Sequence, residues 1–179
     1  MQKNKILIAK KTLQLLETNS WEKIALSKVL KTSEDSFFKN KRDLLKNLNR
    51  YFDFLLKNNL STLEESSKKD MLFEVFMARL DILNQYRPSI KKLIKFLSKH
   101  HNELFYLVPS FIESIVLMST LSNINIEGIK GLPKLKIIFV LYMITIYSWS
   151  NDETESLEKT MTALDKYLSN IDKYLKIFQ

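Results

Sequence analysis

Histidine and cysteine, two side chains that often carry out catalysis, are scarce in this 179-residue sequence, which has 2 His and no Cys. Cysteine is absent, which excludes disulfides, thiolate nucleophiles and thiolate metal ligands. His100 and His101 are adjacent, and consecutive helical positions point about 100° apart, so the two imidazoles are badly placed to chelate one ion. Carboxylates such as Asp81 and Glu113 occur without a nucleophile elbow, a phosphate loop or a paired-carboxylate arrangement. We therefore predict no catalytic residue, no metal site and no cofactor, and a protein that acts by binding.

Cationic side chains are more informative because of where they lie. Residues 1–58 contain 13 Lys and Arg against 6 Asp and Glu, a net charge of +7, whereas residues 59–179 contain 15 against 14, a net charge of +1. A basic first third suits an anionic partner, either nucleic acid or a lipid surface. The alternative is an ordinary lysine-rich surface in contact with solvent.

A second cationic feature lies in the predicted helix over residues 89–99, which carries lysines on one face and aliphatic residues on the other. Such a helix can lie on an anionic membrane leaflet, or it can be an ordinary helix with one solvated face. Together the two features give the predicted contacts with an anionic surface: Lys31, Lys39, Lys41, Arg42, Lys91, Lys92 and Lys95.

Apolar side chains at helical spacing provide two further candidate sites. The first is a pocket for an isoprenoid tail, for which methionine is a suitable lining residue because its shape adapts; simple core packing is the alternative. Its predicted lining is Met77, Leu80, Ile112, Ile115, Met118, Phe139, Tyr142 and Met143. The second is a stripe at 4–3 spacing on the last helix, which indicates either a homodimer seam or a seam within one chain. That stripe is Leu157, Met161, Leu164, Leu168 and Ile171.

Helices must position these side chains, because the turn-forming residues are scarce, with 2 Gly and 3 Pro in the whole chain. A hydrophobic content of 45% is enough to bury a core. The apolar spacing predicts an all-α fold of about nine helices, with Asn40 and Asp43 capping a long fourth one and both glycines in a loop over residues 123–132. Since the charge-free stretch Ile137–Asn151 is too short to cross a bilayer, which takes about 20 residues, we expect a cytoplasmic protein.

Four stretches in the N-terminal third carry a family resemblance: Ile6–Leu16, Ser20-Trp21, Leu26-Ser27 and Phe38–Leu45. Phe38–Leu45 is similar to the junction in the TetR superfamily where the recognition helix meets the linker helix. The earlier stretches are similar to the first helix of that family and the start of its second. The resemblance implies a three-helix head over residues 1–45 and a helical body for ligand binding and dimerisation over residues 46–179. However, Ile24–Phe38 is about six residues shorter than the family pattern and lacks the usual glycine, so the predicted helix-turn-helix is truncated and sequence-specific DNA reading is doubtful.

The second half resembles a subfamily of that superfamily, the ubiquinone-biosynthesis accessory proteins called Coq-nine. The similar stretches are Lys69–Val75, Arg79–Leu83, Arg87-Pro88, Leu141-Tyr142, and the set Trp149, Asp152, Glu155, Thr160, Leu164 and Asp165. The resemblance implies a non-enzymatic protein, peripheral at the inner membrane, that binds an isoprenoid quinone intermediate or a phospholipid and serves a ubiquinone-pathway hydroxylase. We expect no counterpart of the family's further membrane-touching helix, and its tryptophan-bearing partner surface is not evident between Met118 and Leu135. The alternative is a TetR-type transcriptional regulator with a shortened recognition helix.

Overall fold

The computed structural model describes residues 1–30, 38–60 and 66–175, with all of their side chains except those of residues 130 and 173–175. All regular secondary structure in these ranges is helical, which confirms the predicted all-α fold class. The α-helices are α1 Lys3–Thr18, α2 Leu26–Val29, α3 Lys41–Asn59, α4 Lys68–Asn84, α5 Arg87–Lys99, α6 His101–Leu121, α7 Gly128–Asn151 and α8 Glu158–Leu175, and a 3-10 turn covers Trp21–Lys23.

Helix α3 begins with the capping box that the sequence predicts. The Asn40 side-chain oxygen accepts from the Asp43 amide at 3.1 Å. In return, the Asp43 carboxylate accepts from the amides of Lys39 and Asn40 at 2.9 and 3.0 Å. These bonds satisfy backbone donors that a helix start leaves without partners, and they fix the first turn of α3.

Helix α7 begins earlier than the sequence predicts, so the expected loop over residues 123–132 ends at Glu127. Gly128 opens the helix with a φ of +67°, a conformation that glycine adopts without strain. Gly131 lies within the first turns, and a Cβ atom there would come within 1.9 Å of the Ile126 carbonyl oxygen. Both glycines therefore serve the start of a helix, where the preceding chain packs closely against it.

Helix α8 has a cap supplied from a distance. Leu157, directly before the helix, is buried with a φ of +57° and has no polar side chain to offer. Instead the buried Asp152 carboxylate accepts from the Thr160 amide at 2.8 Å and from the Thr160 hydroxyl at 2.7 Å. Its other oxygen accepts from the Thr154 amide and hydroxyl at 3.0 and 2.6 Å. Asp152 thus takes over the role of an N-cap residue from six positions ahead of the helix.

The chain forms two compact units, each built from two stretches of sequence. Unit 1 is Met1–Leu55 with Ile82–Phe111, and unit 2 is Leu56–Asp81 with Ile112–Gln179. In unit 1, α5 packs on α1 and on the 3-10 turn, and in unit 2, α7 packs on α8. The division into a head of residues 1–45 and a body of residues 46–179 stays a prediction.

Candidate functional site

A polar pair lies among apolar side chains in unit 2. The Arg79 side chain on α4 is 1% exposed, and its Nε donates to the Tyr142 hydroxyl oxygen on α7 at 3.4 Å. The Tyr142 ring also meets Phe76 edge to face, with ring centroids 5.3 Å apart. An arginine is rarely buried unless its guanidinium has polar partners, so this position is specialised. The signal was present in the sequence, because Arg79 falls at stripe spacing between Phe76 and Leu83.

The eight residues predicted to line a pocket have different environments. Leu80, Ile115, Met118 and Tyr142 are buried core residues. Met77, Phe139 and Met143 are half-buried, and Ile112 is 38% exposed. Tyr142 joins the set to Arg79, so the mostly apolar set includes a buried polar contact. That these residues form a pocket stays a prediction.

Most of the apolar stripe from Leu157 to Ile171 is buried within the chain. Leu157, Leu164 and Leu168 are almost fully buried, whereas Met161 is 40% exposed and Ile171 is half-buried. Helix α8 packs on α7 within the chain, in which these three leucines are buried. That the stripe forms a seam between two copies stays a prediction, and the same two helices also have a more exposed apolar face.

Such a face is present as an open apolar groove of about 400 Å³ between α7 and α8. Three of its apolar side chains on α7 are Ile137, Val140 and Ile144, of which Val140 is 54% and Ile144 40% exposed. Tyr147, one turn beyond Ile144, is 72% exposed. The remaining lining residues are Lys136, Leu141, Tyr167, Asn170 and Ile171.

The cations at the start of α3 are engaged within unit 1. The Lys41 ammonium donates to the carbonyls of Trp21 and Glu22, the latter at 3.2 Å, and lies 4.7 Å from the centre of the Trp21 ring. Burial lowers the pKa of Lys41, while the carboxylates of Glu22 and Glu103 oppose that change. Lys41 therefore holds the 3-10 turn against α3, a role that its position in a basic stretch did not reveal.

Arg42 is bound by a carboxylate that the sequence gave no reason to select. Its Nε and Nη2 donate to the Glu103 carboxylate over distances of 2.9–3.0 Å. The Tyr106 ring lies near the Arg42 guanidinium, and its centre is 3.8 Å from the Lys46 ammonium. The Tyr106 hydroxyl donates to the Asp43 carboxylate at 3.3 Å. The start of α3 is thereby tied to the start of α6, and the charge of Arg42 is largely balanced.

The lysines of α5 divide in a similar way. The Lys92 ammonium donates to the carbonyls of Leu16 and Glu17 at 2.8 and 2.7 Å, at the end of α1. Lys91 is half-buried and Lys95 is exposed. The aliphatic face is buried, with Ile90 and Leu93 each 7% exposed. Helix α5 is thus an integral helix of unit 1, and its contact with an anionic surface stays a prediction.

The predicted helix-turn-helix lies partly within the described residues. Helix α2 has four residues, Leu26–Val29, and α3 begins at Lys41. The expected recognition element, including Lys31, falls on residues 31–37, which lie outside the described ranges. Lys39, on the other side of that segment, is exposed.

The groups considered for catalysis or metal binding are dispersed. The His100 Nδ1 lies 2.8 Å from the Phe96 carbonyl oxygen and its ring stacks on Phe96, while His101 is exposed. Asp81 and Glu113 are both on the surface of unit 2. Over the described ranges, no three His, Asp or Glu residues are grouped so that they could hold a metal ion.

In the part of the chain that the structure describes, two helices are long and apolar enough to cross a membrane, judged by length and composition alone. They are α6 and residues Gly131–Asn151 of α7, with about a third or less of each apolar window buried. The cytoplasmic location expected from the charge-free stretch Ile137–Asn151 stays a prediction. A core helix of a folded helical protein meets the same criteria of length and composition. The informative observation is that much of the apolar surface of these two helices is not buried.

Comparison with known proteins identifies the fold. A crystal structure of the TetR transcriptional regulator from Nitrosomonas europaea ATCC 19718 superposes with a TM-score of 0.72 at 18% identity, over 93% of this chain and 96% of that one. The chain has a TetR-like fold. No protein-family model and no curated protein sequence matches it. The expected TetR-like architecture is confirmed, whereas the resemblance to the Coq-nine proteins stays a prediction.

Proposed function

We propose that this chain is a non-enzymatic lipid-binding protein whose ligand combines a long apolar tail with one polar head. The observation that carries the proposal is the buried pair Arg79 and Tyr142 among apolar side chains of unit 2. A guanidinium offers several N–H donors in one plane, which suit a quinone oxygen or a phosphate. Ligand sites of this kind are mostly apolar, with few polar groups that fix orientation.

An isoprenoid quinone intermediate is the ligand we favour, with phospholipid second. The preference comes from the resemblance of residues 69–83 and 141–165 to the Coq-nine proteins, which implies delivery to a ubiquinone-pathway hydroxylase. Leu80, Ile115 and Met118 would contact the tail, and Arg79 the head. On this proposal the protein is cytoplasmic and visits the inner membrane to load and unload.

Extraction of the purified protein with organic solvent, followed by mass spectrometry, tests the proposal. We expect one equivalent of quinone or phospholipid per site. Tyr142→Phe removes the hydroxyl but keeps the ring against Phe76, so it should lower the bound fraction without unfolding the protein. Tyr147→Phe is the matched control, since that tyrosine is 72% exposed. A protein that carries no lipid, and shows no thermal shift with ubiquinone analogues, would rule the proposal out.

A homodimer is the assembly we propose for this function. The groove between α7 and α8 exposes Val140 and Ile144, while Leu164 and Leu168 of α8 are buried within the chain. Two copies joined through these helices would form a four-helix bundle. Light scattering should give twice the mass of the 21.2 kDa chain, and Val140→Asp should return it to a single chain.

The second candidate function is transcriptional regulation, which is the function named for the similar structure from Nitrosomonas europaea. That likeness covers 93% of this chain and 96% of the regulator. Against it stand the four-residue α2 and the engagement of Lys41 and Arg42 within unit 1. A mobility shift that survives excess random DNA at moderate salt would favour regulation over lipid carriage.

A further inference from the structure

Two neighbouring aliphatic side chains stand out at the start of α7. Ile129 is 90% exposed and Leu132 is 56% exposed. Residues three apart share a face of a helix, so the two form one small apolar projection. We call the segment 128–136 the α7 tip. Exposed aliphatic residues are common on protein surfaces, so the meaning of this pair depends on how it is held and on the charges around it.

Hydrogen bonds and close packing in the segment before α7 fix the position of this projection. The connection from α6 is pinned by the Ile124 amide, which donates to the Ser119 carbonyl at 2.9 Å, and the Ile124 side chain is buried. The Glu127 amide donates to the Asn125 side chain at 2.8 Å. Gly131 lets the Ile126 carbonyl approach the first turn, where any Cβ would collide with it. Ile129 and Leu132 are therefore exposed although the turn that carries them is well packed.

Positive charge accompanies the aliphatic pair. Lys136 is exposed and follows Leu132 by four positions and Ile129 by seven, which places it on the same face one turn further along. Over residues 127–136 the sequence has three lysines and one glutamate. Helix α7 has no side-chain hydrogen bond at its N-cap residue Glu127, so its first amides and its dipole also favour anionic groups. This combination is complementary to phosphate headgroups above an apolar layer.

We propose that the α7 tip docks on the surface of an anionic phospholipid bilayer. Ile129 and Leu132 enter the boundary between headgroups and acyl chains, and Lys136 extends back to the headgroup phosphates. The inference rests on the proposed function in one respect, since a lipid carrier must meet a membrane. It names a different contact from the lysine face of α5, because Lys92 is engaged at the end of α1.

Flotation of the full chain with vesicles tests the docking surface. The two vesicle types are phosphatidylcholine alone and phosphatidylcholine mixed with phosphatidylglycerol. Complete burial of one such aliphatic side chain favours association by roughly tenfold or more, so Ile129→Ser with Leu132→Ser should weaken binding at least about tenfold. Lys136→Gln should weaken binding about fivefold on anionic vesicles and leave neutral vesicles unaffected.

A matched control removes exposed aliphatic and aromatic area elsewhere. Leu7 and Phe105 are 55% and 70% exposed in unit 1, and Leu7→Ser with Phe105→Ser should float like the unchanged chain. Circular dichroism should show the same helicity and thermal transition for every variant, because all of the altered side chains are on the surface. Light scattering on the tip variant distinguishes a membrane contact from a contact between two copies.

Four results would overturn the proposal: no flotation of the unchanged chain, normal flotation of the tip variant, an equal loss in the control, or conversion of a dimer to single chains by the tip change. The proposed function is measured separately by solvent extraction. A tip variant that keeps its bound lipid but no longer floats would support both proposals. A chain that floats through its tip but carries no extractable lipid would support the docking surface and count against lipid carriage.

Discussion

Helix α5 of unit 1 and helix α7 of unit 2 differ in which side chains remain available to a partner. On α5 the aliphatic face is buried, and Lys92 donates to the end of α1. On α7 the polar residues are few, yet Ile129, Val140 and Tyr147 are each more than half exposed. The helix with the stronger charge pattern is thus largely used to build its own unit. The more apolar helix is the one that offers surface for binding.

The largest expected effect on stability comes from the buried side chains of α8, compared with the exposed ones on the same helix. Leu164 is fully buried within the chain, so Leu164→Ala should lower the free energy of unfolding by about 3 kcal/mol. Met161, on the same stripe but 40% exposed, should cost under about 1 kcal/mol when changed to Ala. Urea unfolding at several protein concentrations measures both. A loss for Leu164→Ala that disappears at high concentration would instead place this leucine between two copies.

The distant cap of α8 sets how unit 2 responds to acid. Burial acts to raise the pKa of Asp152, but the hydrogen bonds from Thr154 and Thr160 outweigh it and hold that pKa well below its ordinary value of 3.8. A lowered pKa in the folded state means that the stabilisation is complete above pH 4 and is lost as the pH falls below that value. Asp152→Asn should cost about 2 kcal/mol at neutral pH, since hydrogen bonds to a charged group are lost.

Thermal unfolding between pH 7 and pH 2 measures this dependence. The unchanged chain should lose stability toward low pH more steeply than Asp152→Asn, so the two curves should converge in acid. Asp165→Asn is the control, because its exposed carboxylate lies 3.6 Å from Lys69 on the surface and should leave the slope nearly unchanged. Parallel curves for the unchanged chain and Asp152→Asn would show that another group carries the acid response.

The lysines of α5 test whether this helix serves the stability of unit 1 rather than binding. Lys92→Met should destabilise the protein by about 1 kcal/mol, because two carbonyls at the end of α1 lose a cationic donor. Lys95→Met, on the same helix but exposed, should have almost no effect on the free energy of unfolding. Neither change should reduce vesicle flotation. If Lys95→Met abolishes flotation, the lysine face of α5 rather than the α7 tip is the membrane contact.

Local signals in the sequence predicted local structure well. The pairing of Asn40 with Asp43 could be inferred because a capping box lies within four consecutive residues. The partners of Arg42 and Lys92 could not, because Glu103 and the end of α1 lie 61 and 75 or more positions away in sequence. The sequence predicted too late a start for α7 because glycine is typical of loops. Gly131 lies in the helix because the Ile126 carbonyl packs against it, and that contact is not visible in the sequence. Composition indicated a basic N-terminal third, but not which of its cations the fold would occupy.

The smallest expected effect concerns the remaining case for nucleic-acid binding. Glu103→Gln removes the carboxylate that holds Arg42, and the freed guanidinium lies beside Lys46 at the start of α3. Binding to random duplex DNA at low salt should therefore strengthen several-fold. The slope of log affinity against log salt should steepen by about 0.9 for the one added phosphate contact. Glu17→Gln makes the same charge change at an exposed position in unit 1, so it separates the release of Arg42 from a general gain in net charge. Equal strengthening by both variants would mean that Glu103 acts only through its charge, and that Arg42 is already available to DNA in the unchanged chain.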